Sequence, residues 1–396
     1  MRKALLTTAA SALLVVAAVP AASAQDASAE EIIAGLPEEL ASLYDNYSGE
    51  VVPAQLPEIS AGEGPWKMCH SESFQGNPWR VALSNEIERL ANEFIEAGVL
   101  SEWKQTDANG DVPLQITQVQ SFIDEGCDII TMIPGSTTGL DEVIDNAADA
   151  GIPVVTVSGA VTNPKAINVD WNWYRWAYDM GEALGEELGE GNIIVVEGIA
   201  GAPIVAMQAE GLAAALEDQP GLNVVATVNG DWTPTTTKSV VLQTLATNPA
   251  DIDGVWTSGS ESRLVTEAFV ESGREVPLVT GSISGDGLGY WHENPDGYRF
   301  TGQAVLPVLS GNPMVRVAVR ILEGQDPKLN TLLFELPKVT QDDLGDWYSE
   351  CMTSETATLF PISTEDPYPD AVIDPYFENP AATPPYDYAT TPDPCG

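Results

Sequence analysis

Basic residues are scarce in this chain of 396 residues. It has 16 lysines and arginines against 59 aspartates and glutamates, and its formal net charge at pH 7 is −43. Such a surface repels nucleic acid and anionic lipid, because proteins bind both through clustered lysine and arginine. We therefore expect no nucleic acid partner.

Motifs for catalysis, metals and cofactors are missing as well. The chain has only two histidines, His70 and His292, and its four cysteines have no CxxC spacing, so no metal site is expected. It contains no HExxH, no GxSxG, no P-loop and no GxGxxG after a strand. The sequence thus predicts a protein that is not an enzyme, with no catalytic residue and no cofactor.

No apolar run reaches the ~20 residues that a membrane-spanning helix needs. The first run, Ala4–Val19, follows a basic start and precedes Ala22-Ser23-Ala24, a small-residue cleavage site. This pattern predicts a signal peptide over residues 1–24, cleaved near Ala24, and a periplasmic location. Gln25 instead of cysteine follows the cut, so no lipid anchor is expected.

What the chain has in quantity is an alternation of short apolar strands and helices. The clearest unit runs from strand Asp128–Ile133 through helix Thr138–Ala150 to strand Pro153–Val157. Open parallel sheets bind ligands beyond the carboxyl ends of their strands. The loops Pro134–Thr138 and Ser158–Val161 are therefore predicted to belong to a binding site.

The same alternation continues along the chain and predicts two successive parallel α/β lobes. Residues 25–62 precede it and are predicted to be a polar leader with one short helix, Ala29–Tyr44. Residues 341–396 are rich in Pro, Asp and Tyr without periodicity, which predicts an irregular C-terminal tail.

Four cysteines in an exported chain predict two disulfides, for which three pairings are possible. Cys69 and Cys127 stand at the starts of two predicted strands and lie side by side if those strands are neighbours. Cys351 and Cys395 both fall in the tail. We therefore predict the pairs Cys69–Cys127 and Cys351–Cys395.

Several short stretches between Pro65 and Gly324 have an order and spacing that together are specific. They are Gly76-Asn77-Pro78-Trp79-Arg80, Gly126-Cys127-Asp128-Ile129-Ile130, Ala150-Gly151-Ile152-Pro153-Val154-Val155, Asn168-Val169-Asp170 and Gly230-Asp231-Trp232. In these stretches the sequence resembles the sugar-binding, ribose-like branch of the type I periplasmic binding proteins, the ligand receptors of ABC importers.

The resemblance implies an α/β fold of two doubly wound parallel-sheet lobes joined by a three-segment hinge. Lobe one would comprise residues 64–169 and 306–324, and lobe two residues 170–305. The first and third strands are neighbours in this family, which also supports the Cys69–Cys127 pair. The implied function is that of a periplasmic substrate-binding protein, expected to be a monomer, that delivers a small molecule to an ABC permease.

The expected ligand is a monosaccharide, a polyol or a sugar-like molecule held between the closing lobes. Three alternatives stay open: a carboxylated or aromatic ligand, a receptor that presents its ligand to a membrane sensor, and an exported hydrolase, although its catalytic motif is absent.

The resemblance also implies the ligand residues. Trp79 and Trp232 fall on the family's stacking positions, and Phe74, Trp171 and Trp173 lie in loops that face the cleft. The polar ligand residues predicted beside them are Ser71, Asn77, Arg80, Ser136, Ser158, Asp170, Gln208, Ser258, Ser260 and Gln303.

The polar set departs from the family pattern at four places. Ile133 stands where relatives often have Asn, Ser158-Gly159 replaces Asp-Arg, and Gln208 replaces Arg. Ser258-Gly259-Ser260 stands in place of an Asn-Asp pair. The charged fork that grips vicinal hydroxyls is therefore missing, which argues against ribose, galactose and similar pyranoses.

Arg80 has two open roles. It falls in the first turn of a predicted helix that points at the cleft, where a buried arginine needs a partner. That partner is either Glu72 or Asp170 in a salt bridge, or a carboxylate on the ligand.

Overall fold

The computed structural model describes residues 27–363, 365–381, 388, 391 and 393–395. The predicted signal peptide, residues 1–24, lies outside them. The described residues form two six-stranded sheets, and helices cover both faces of each sheet. Within these ranges, no helix combines the length and the apolar character that crossing a membrane requires.

The strands and helices alternate along most of the chain. The strands are β1 (Trp66–Glu72), β2 (Leu100–Asp107), β3 (Ile129–Ile133), β4 (Val154–Val157), β5 (Ala166–Asp170), β6 (Gly191–Glu197), β7 (Leu222–Asn229), β8 (Gly254–Thr257), β9 (Leu278–Ser282), β10 (Phe300–Gln303), β11 (Thr331–Leu333) and β12 (Lys338–Val339). The helices are α1 (Ala29–Ala34), α2 (Glu38–Ala41), α3 (Pro78–Glu96), α4 (Val112–Asp124), α5 (Asp141–Asp149), α6 (Trp173–Leu188), α7 (Pro203–Asp218), α8 (Pro234–Thr247), α9 (Ser262–Glu271), α10 (Gly285–Glu293), α11 (Pro307–Leu322), α12 (Leu344–Trp347) and α13 (Asp370–Ile373).

Both sheets are mostly parallel. Sheet one has the order β11-β5-β4-β3-β1-β2, and sheet two has the order β12-β10-β9-β8-β6-β7. Among these described strands only β12 runs antiparallel, against β10. The central strands β3 and β4 are buried along their whole length because helices pack on both of their faces, which explains their continuous apolar sequences. The predicted fold class is confirmed.

The chain passes between the sheets at three places, and we call these crossings the hinge. They are β5 to α6, β10 to α11, and β11 to β12. We use lobe one for sheet one with its helices and lobe two for sheet two with its helices; α11 packs on α3, β3 and β4 and so belongs to lobe one. The edge strands β11 and β12 are not predicted from sequence, because two or three residues are too few to show a period of two.

Both predicted disulfides are confirmed. Cys69 in β1 is bonded to Cys127, just before β3, and their Cα atoms are 6.0 Å apart. β1 and β3 are parallel neighbours with Cys69 opposite Ile130, so the starts of the two strands lie side by side. The second disulfide, Cys351–Cys395, closes a loop of the tail.

The leader is a broken helix, so the prediction of one helix over Ala29–Tyr44 is wrong. α1 ends at Ala34 and α2 begins after Pro37, because the proline ring disfavours helical backbone in the residue before it. The leader buries Leu36, Leu40 and Leu43 against the core of the protein. The Asn172 side chain donates hydrogen bonds to the carbonyl oxygens of Leu43 and Asp45, so the leader packs over the first hinge crossing.

Candidate ligand-binding site

A cavity of about 100 Å³ lies between the two lobes. At ~10–15 Å³ for each water, it has room for about eight waters, which is the scale of a small solute. Lobe one contributes the start of α3 and the loop after β4, and lobe two contributes α7 and the loops after β7, β8 and β9. The cavity therefore lies beyond the carboxyl ends of the strands, where open parallel sheets bind ligands.

Trp232 forms one wall of the cavity, and its backbone has an uncommon conformation. The φ angles of Asp231 and Trp232 are 55° and 48°, in the left-handed region that a bulky residue rarely adopts. The indole lies against Gly198, where a Cβ would come within 2.1 Å of the ring. Its Nε1 donates to Oγ of Ser258 at 2.6 Å. Backbone strain of this kind clusters at functional sites.

Trp79 and Trp173 lie in the first turns of α3 and α6. The Asn77 side chain caps α3, and Nε1 of Trp79 donates to the carbonyl oxygen of Val305 at 2.8 Å. Nε1 of Trp173 donates to Oδ1 of Asp170 at 3.0 Å. Since both indole nitrogens already have partners, these two residues offer the cavity their apolar ring surfaces.

Among the fully buried side-chain polar atoms of the cavity residues, two have no hydrogen-bond partner within the described part of the chain. They are Oε1 of Gln208 and Nε1 of Trp176. Gln208 is 1% exposed, and its Nε2 donates to the carbonyl oxygen of Ser258. An unsatisfied buried polar group costs ~1–3 kcal/mol, so one acceptor and one donor in this position are candidates for ligand contacts.

Arg80 pairs with Glu72 and also lines the cavity. Its Nη1 lies 2.8 Å from Oε1 of Glu72, whose side chain is fully buried. Burial raises the pKa of Glu72 to about 7, although the charge of Arg80 acts in the opposite direction. Of the two open roles, the internal salt bridge is therefore present, and it is made with Glu72 instead of Asp170.

Glu261 brings a titrating carboxyl group to the cavity. It is 8% exposed, and burial followed by the nearby charge of Asp286 raises its pKa to about 7. Asp286 also lines the cavity, but its carboxylate is paired with Arg263 at 2.8 Å and accepts a hydrogen bond from Ser284. Near neutral pH, the protonation state of Glu261 thus sets the charge of this wall.

Most of the predicted ligand residues line the cavity. They are Asn77, Trp79, Arg80, Ser158, Trp173, Gln208, Trp232, Ser258 and Ser260. Ser158 has a φ of 51° and, like Trp232, is a non-glycine residue in the left-handed region.

The other predicted residues lie outside this cavity, and their role as ligand contacts stays a prediction. They are Ser71, Phe74, Ser136, Asp170, Trp171 and Gln303. Ser71 is fully buried and accepts from the Gln115 side chain, whereas Asp170 orients the Trp173 indole. Trp171 and Gln303 line a second, smaller cavity at the hinge.

The side chains of Phe74 and Ser136 also lie outside the cavity, and each contacts residues of its own loop. The ring of Phe74 packs against Gly76, where a Cβ would clash with it. Oγ of Ser136 accepts a hydrogen bond from the backbone N–H of Gly139. Sequence position alone places both near the cleft but does not give the direction of their side chains.

Other residues of the cavity are not assigned from sequence. They are Pro78, Trp176, Ile204, Pro234, Gly259, Leu264, Ser282, Asp286, Val305 and Ala357. A signal exists for Trp176, which follows Trp173 by three residues and so shares its helix face. No signal exists for Ala357, a small residue in an aperiodic segment of the tail.

Comparison with known protein families gives one match over most of the chain. A family model described as "periplasmic binding protein domain" matches residues 71–326. This span includes the cavity residues of both lobes and ends before the tail.

Curated relatives and solved structures agree with that match. The chain is 25% identical over 241 residues to a xylitol-binding protein of Mycolicibacterium smegmatis, covering 60% of this chain and 68% of the relative. It is 25% identical over 223 residues to a galactofuranose-binding protein of Escherichia coli, covering 52% and 67%. The crystal structure of an ABC transporter solute binding protein from Thermobispora bispora superposes with a TM-score of 0.67 at 28% identity, covering 73% of this chain and 90% of that chain.

Proposed function

The chain belongs to the periplasmic binding protein domain family, and on that premise we propose that its cavity binds an uncharged, polyhydroxylated solute, a polyol or a sugar. Members of this family are non-catalytic solute-binding proteins of ABC transporters. The observation that carries the ligand class is the set of four indoles around one cavity: Trp79, Trp173, Trp176 and Trp232.

Indole faces suit the C–H surfaces of polyhydroxylated carbon chains and rings. The free acceptor on Gln208 and the free donor on Trp176 supply the opposite halves of hydrogen bonds to hydroxyl groups, which both donate and accept. A carboxylated ligand fits less well, because Arg80 already has an internal partner and Glu261 adds negative charge.

Binding is proposed to close the lobes. Trp79, Asn77 and Ser158 belong to lobe one, whereas Trp173, Gln208 and Trp232 belong to lobe two. A ligand that contacts both groups favours the closed arrangement by the difference in its affinity for the two states. We propose that the closed protein then docks on an ABC permease, and that it acts as an exported, periplasmic monomer without a lipid anchor.

A thermal-shift panel tests the ligand class. We expect at least one of xylitol, D-ribose, L-arabinose, D-galactose and myo-inositol to raise the melting temperature by several degrees, because a ligand at 100 times its Kd adds ~2.7 kcal/mol. Glucuronate, benzoate and amino acids are the comparison set. A shift by amino acids alone would rule out the polyhydroxylated class, and a shift by glucuronate or benzoate alone would make the site one for a carboxylate.

Glu261→Gln tests whether the carboxyl group on the cavity wall contacts the ligand. A carboxylate is a stronger acceptor than a carboxylic acid, so affinity should rise up to ~10-fold as the pH increases through the folded pKa of about 7. Titration calorimetry at pH 5.5 and 8.5, with the panel compound of largest shift, measures this dependence. We expect Glu261→Gln to abolish it and Glu72→Gln, the matched control, to retain it. An unchanged pH dependence in Glu261→Gln contradicts the contact.

A further inference from the structure

The C-terminal tail makes a fourth connection between the lobes, outside the hinge. We use "cleft strap" for residues 353–360 and "strap anchor" for residues 366–374. The strap packs on α10 of lobe two so closely that only glycine fits at two positions. A Cβ on Gly289 would lie 2.3 Å from the carbonyl carbon of Thr353, and one on Gly285 would lie 2.5 Å from the carbonyl oxygen of Leu359. The N–H of Gly285 donates to that same oxygen at 2.9 Å.

The strap anchor is held by lobe one. Arg316 and Arg320 on α11 are both buried, at 2% and 0% exposure, and point to the anchor's carboxylates. Asp370 accepts from both guanidinium groups at 2.8 Å. Asp366 and Asp374 pair with Arg316 and Arg320 at 3.1 and 2.7 Å. Two buried cations would be very costly without these partners, so the anchor is an integral part of lobe one.

Between its two contacts with α10, at Thr353 and Leu359, the strap reaches the ligand cavity. Ala357 lines the cavity together with Glu261, Leu264 and Asp286 of lobe two. Its neighbour Thr358 is exposed. A methyl group is thus what the tail presents to the cavity at this point, and a larger side chain at position 357 would occupy ligand space.

From these contacts we propose that the cleft strap forms one wall of the ligand site and limits how far the lobes open, so that Ala357 is a specificity-determining residue. The inference rests on the proposed function for the identity of the cavity. The limit follows from chain length, because the seven residue steps from Leu359 to Asp366 span at most about 24 Å. Opening beyond this length requires the strap to leave α10 or the anchor to leave Arg316 and Arg320.

The wall is tested with two tryptophan substitutions in adjacent residues. We expect Ala357→Trp to weaken xylitol binding, measured by titration calorimetry, by at least tenfold, and the matched control Thr358→Trp to stay within twofold of the wild type. Equal affinities in all three proteins would contradict the proposal that Ala357 forms a wall of the ligand site. An equal loss of affinity in Thr358→Trp and Ala357→Trp would also contradict it. The effect would then not depend on whether the substituted residue lines the cavity.

The limit on opening is tested without any ligand, so the result of this experiment does not depend on whether the proposed function is correct. Spin labels at Glu96→Cys on α3 and Glu217→Cys on α7 report the distance between the lobes, and the native cysteines leave no free thiol to compete. Six Gly/Ser residues inserted after Ser363 should shift the ligand-free distances to longer values. The same insertion after Gly273, an exposed turn, should not. Unchanged distances between the spin labels after the Ser363 insertion would contradict the proposal that the cleft strap limits opening of the lobes.

If the wild type binds xylitol no better than it binds glucuronate or amino acids, the calorimetry of Ala357→Trp and Thr358→Trp is repeated with myo-inositol and the sugars of the thermal-shift panel. If none of them binds, the proposed function fails, and the distance measurement alone decides whether the tail restrains the lobes.

Discussion

Trp79→Ala and Trp232→Ala should each weaken binding of the ligand about 100-fold, where the ligand is the compound that gives the largest shift in the thermal-shift panel. The removed ring takes with it the apolar area that covers the ligand and a stacking contribution of ~0.5–1.5 kcal/mol beyond that area. A loss near 3 kcal/mol corresponds to this factor. Titration calorimetry on the purified variants measures the effect.

Trp347→Ala is the matched control for both variants. Trp347 is partly buried in α12 and does not line the cavity, so its removal should leave the affinity within twofold of the wild type. Full affinity in Trp79→Ala and Trp232→Ala would show that the ligand does not stack on these indoles. Circular dichroism on each variant separates loss of binding from loss of fold.

Arg80→Met should lower the free energy of unfolding by about 3 kcal/mol at pH 8, because it leaves the fully buried carboxyl group of Glu72 without its positively charged partner. The loss should be smaller at pH 5. The folded pKa of Glu72, about 7, lies above its ordinary value, so the folded protein favours the protonated form. The stability gained from that form is present at low pH and is lost as the pH rises through 7. Removing Arg80 raises the folded pKa further, so the variant suffers most at high pH.

The double variant Glu72→Gln with Arg80→Met supplies the control. Neither side chain is then charged, so urea unfolding at pH 8 should recover most of the lost stability. A double variant that is as unstable as Arg80→Met alone would mean that Arg80 stabilises α3 through packing and not through Glu72.

Much of the fold follows from the sequence because buried parallel strands have a strong signature. The apolar runs that become β3 and β4 have no face in water, so an unbroken apolar run between two turns suffices to place each strand. The Cys69–Cys127 pair is predicted on the same basis, since neighbouring parallel strands put their starting ends together. Elements without periodicity, such as β12 and the tail, give no such signal.

The site is predicted less completely than the fold, because the position of a residue on a loop does not determine where its side chain points. Trp79 and Trp232 line the cavity, as expected for residues in loops that follow strands at the carboxyl edge of an open parallel sheet. Ser71 lies just as close to a strand end, yet its side chain turns inward to Gln115. Ala357 reaches the cavity only because distant contacts on α10 and α11 hold the tail across it.

A crystal structure of the protein with the panel compound of largest thermal shift tests the central claim most directly. The account predicts the ligand between the lobes, with carbon atoms against the rings of Trp79 and Trp232 and a hydroxyl group within hydrogen-bond distance of Oε1 of Gln208. A ligand bound elsewhere, at the hinge cavity or on the outer surface, would contradict the proposed site and with it the proposed mode of sugar or polyol recognition.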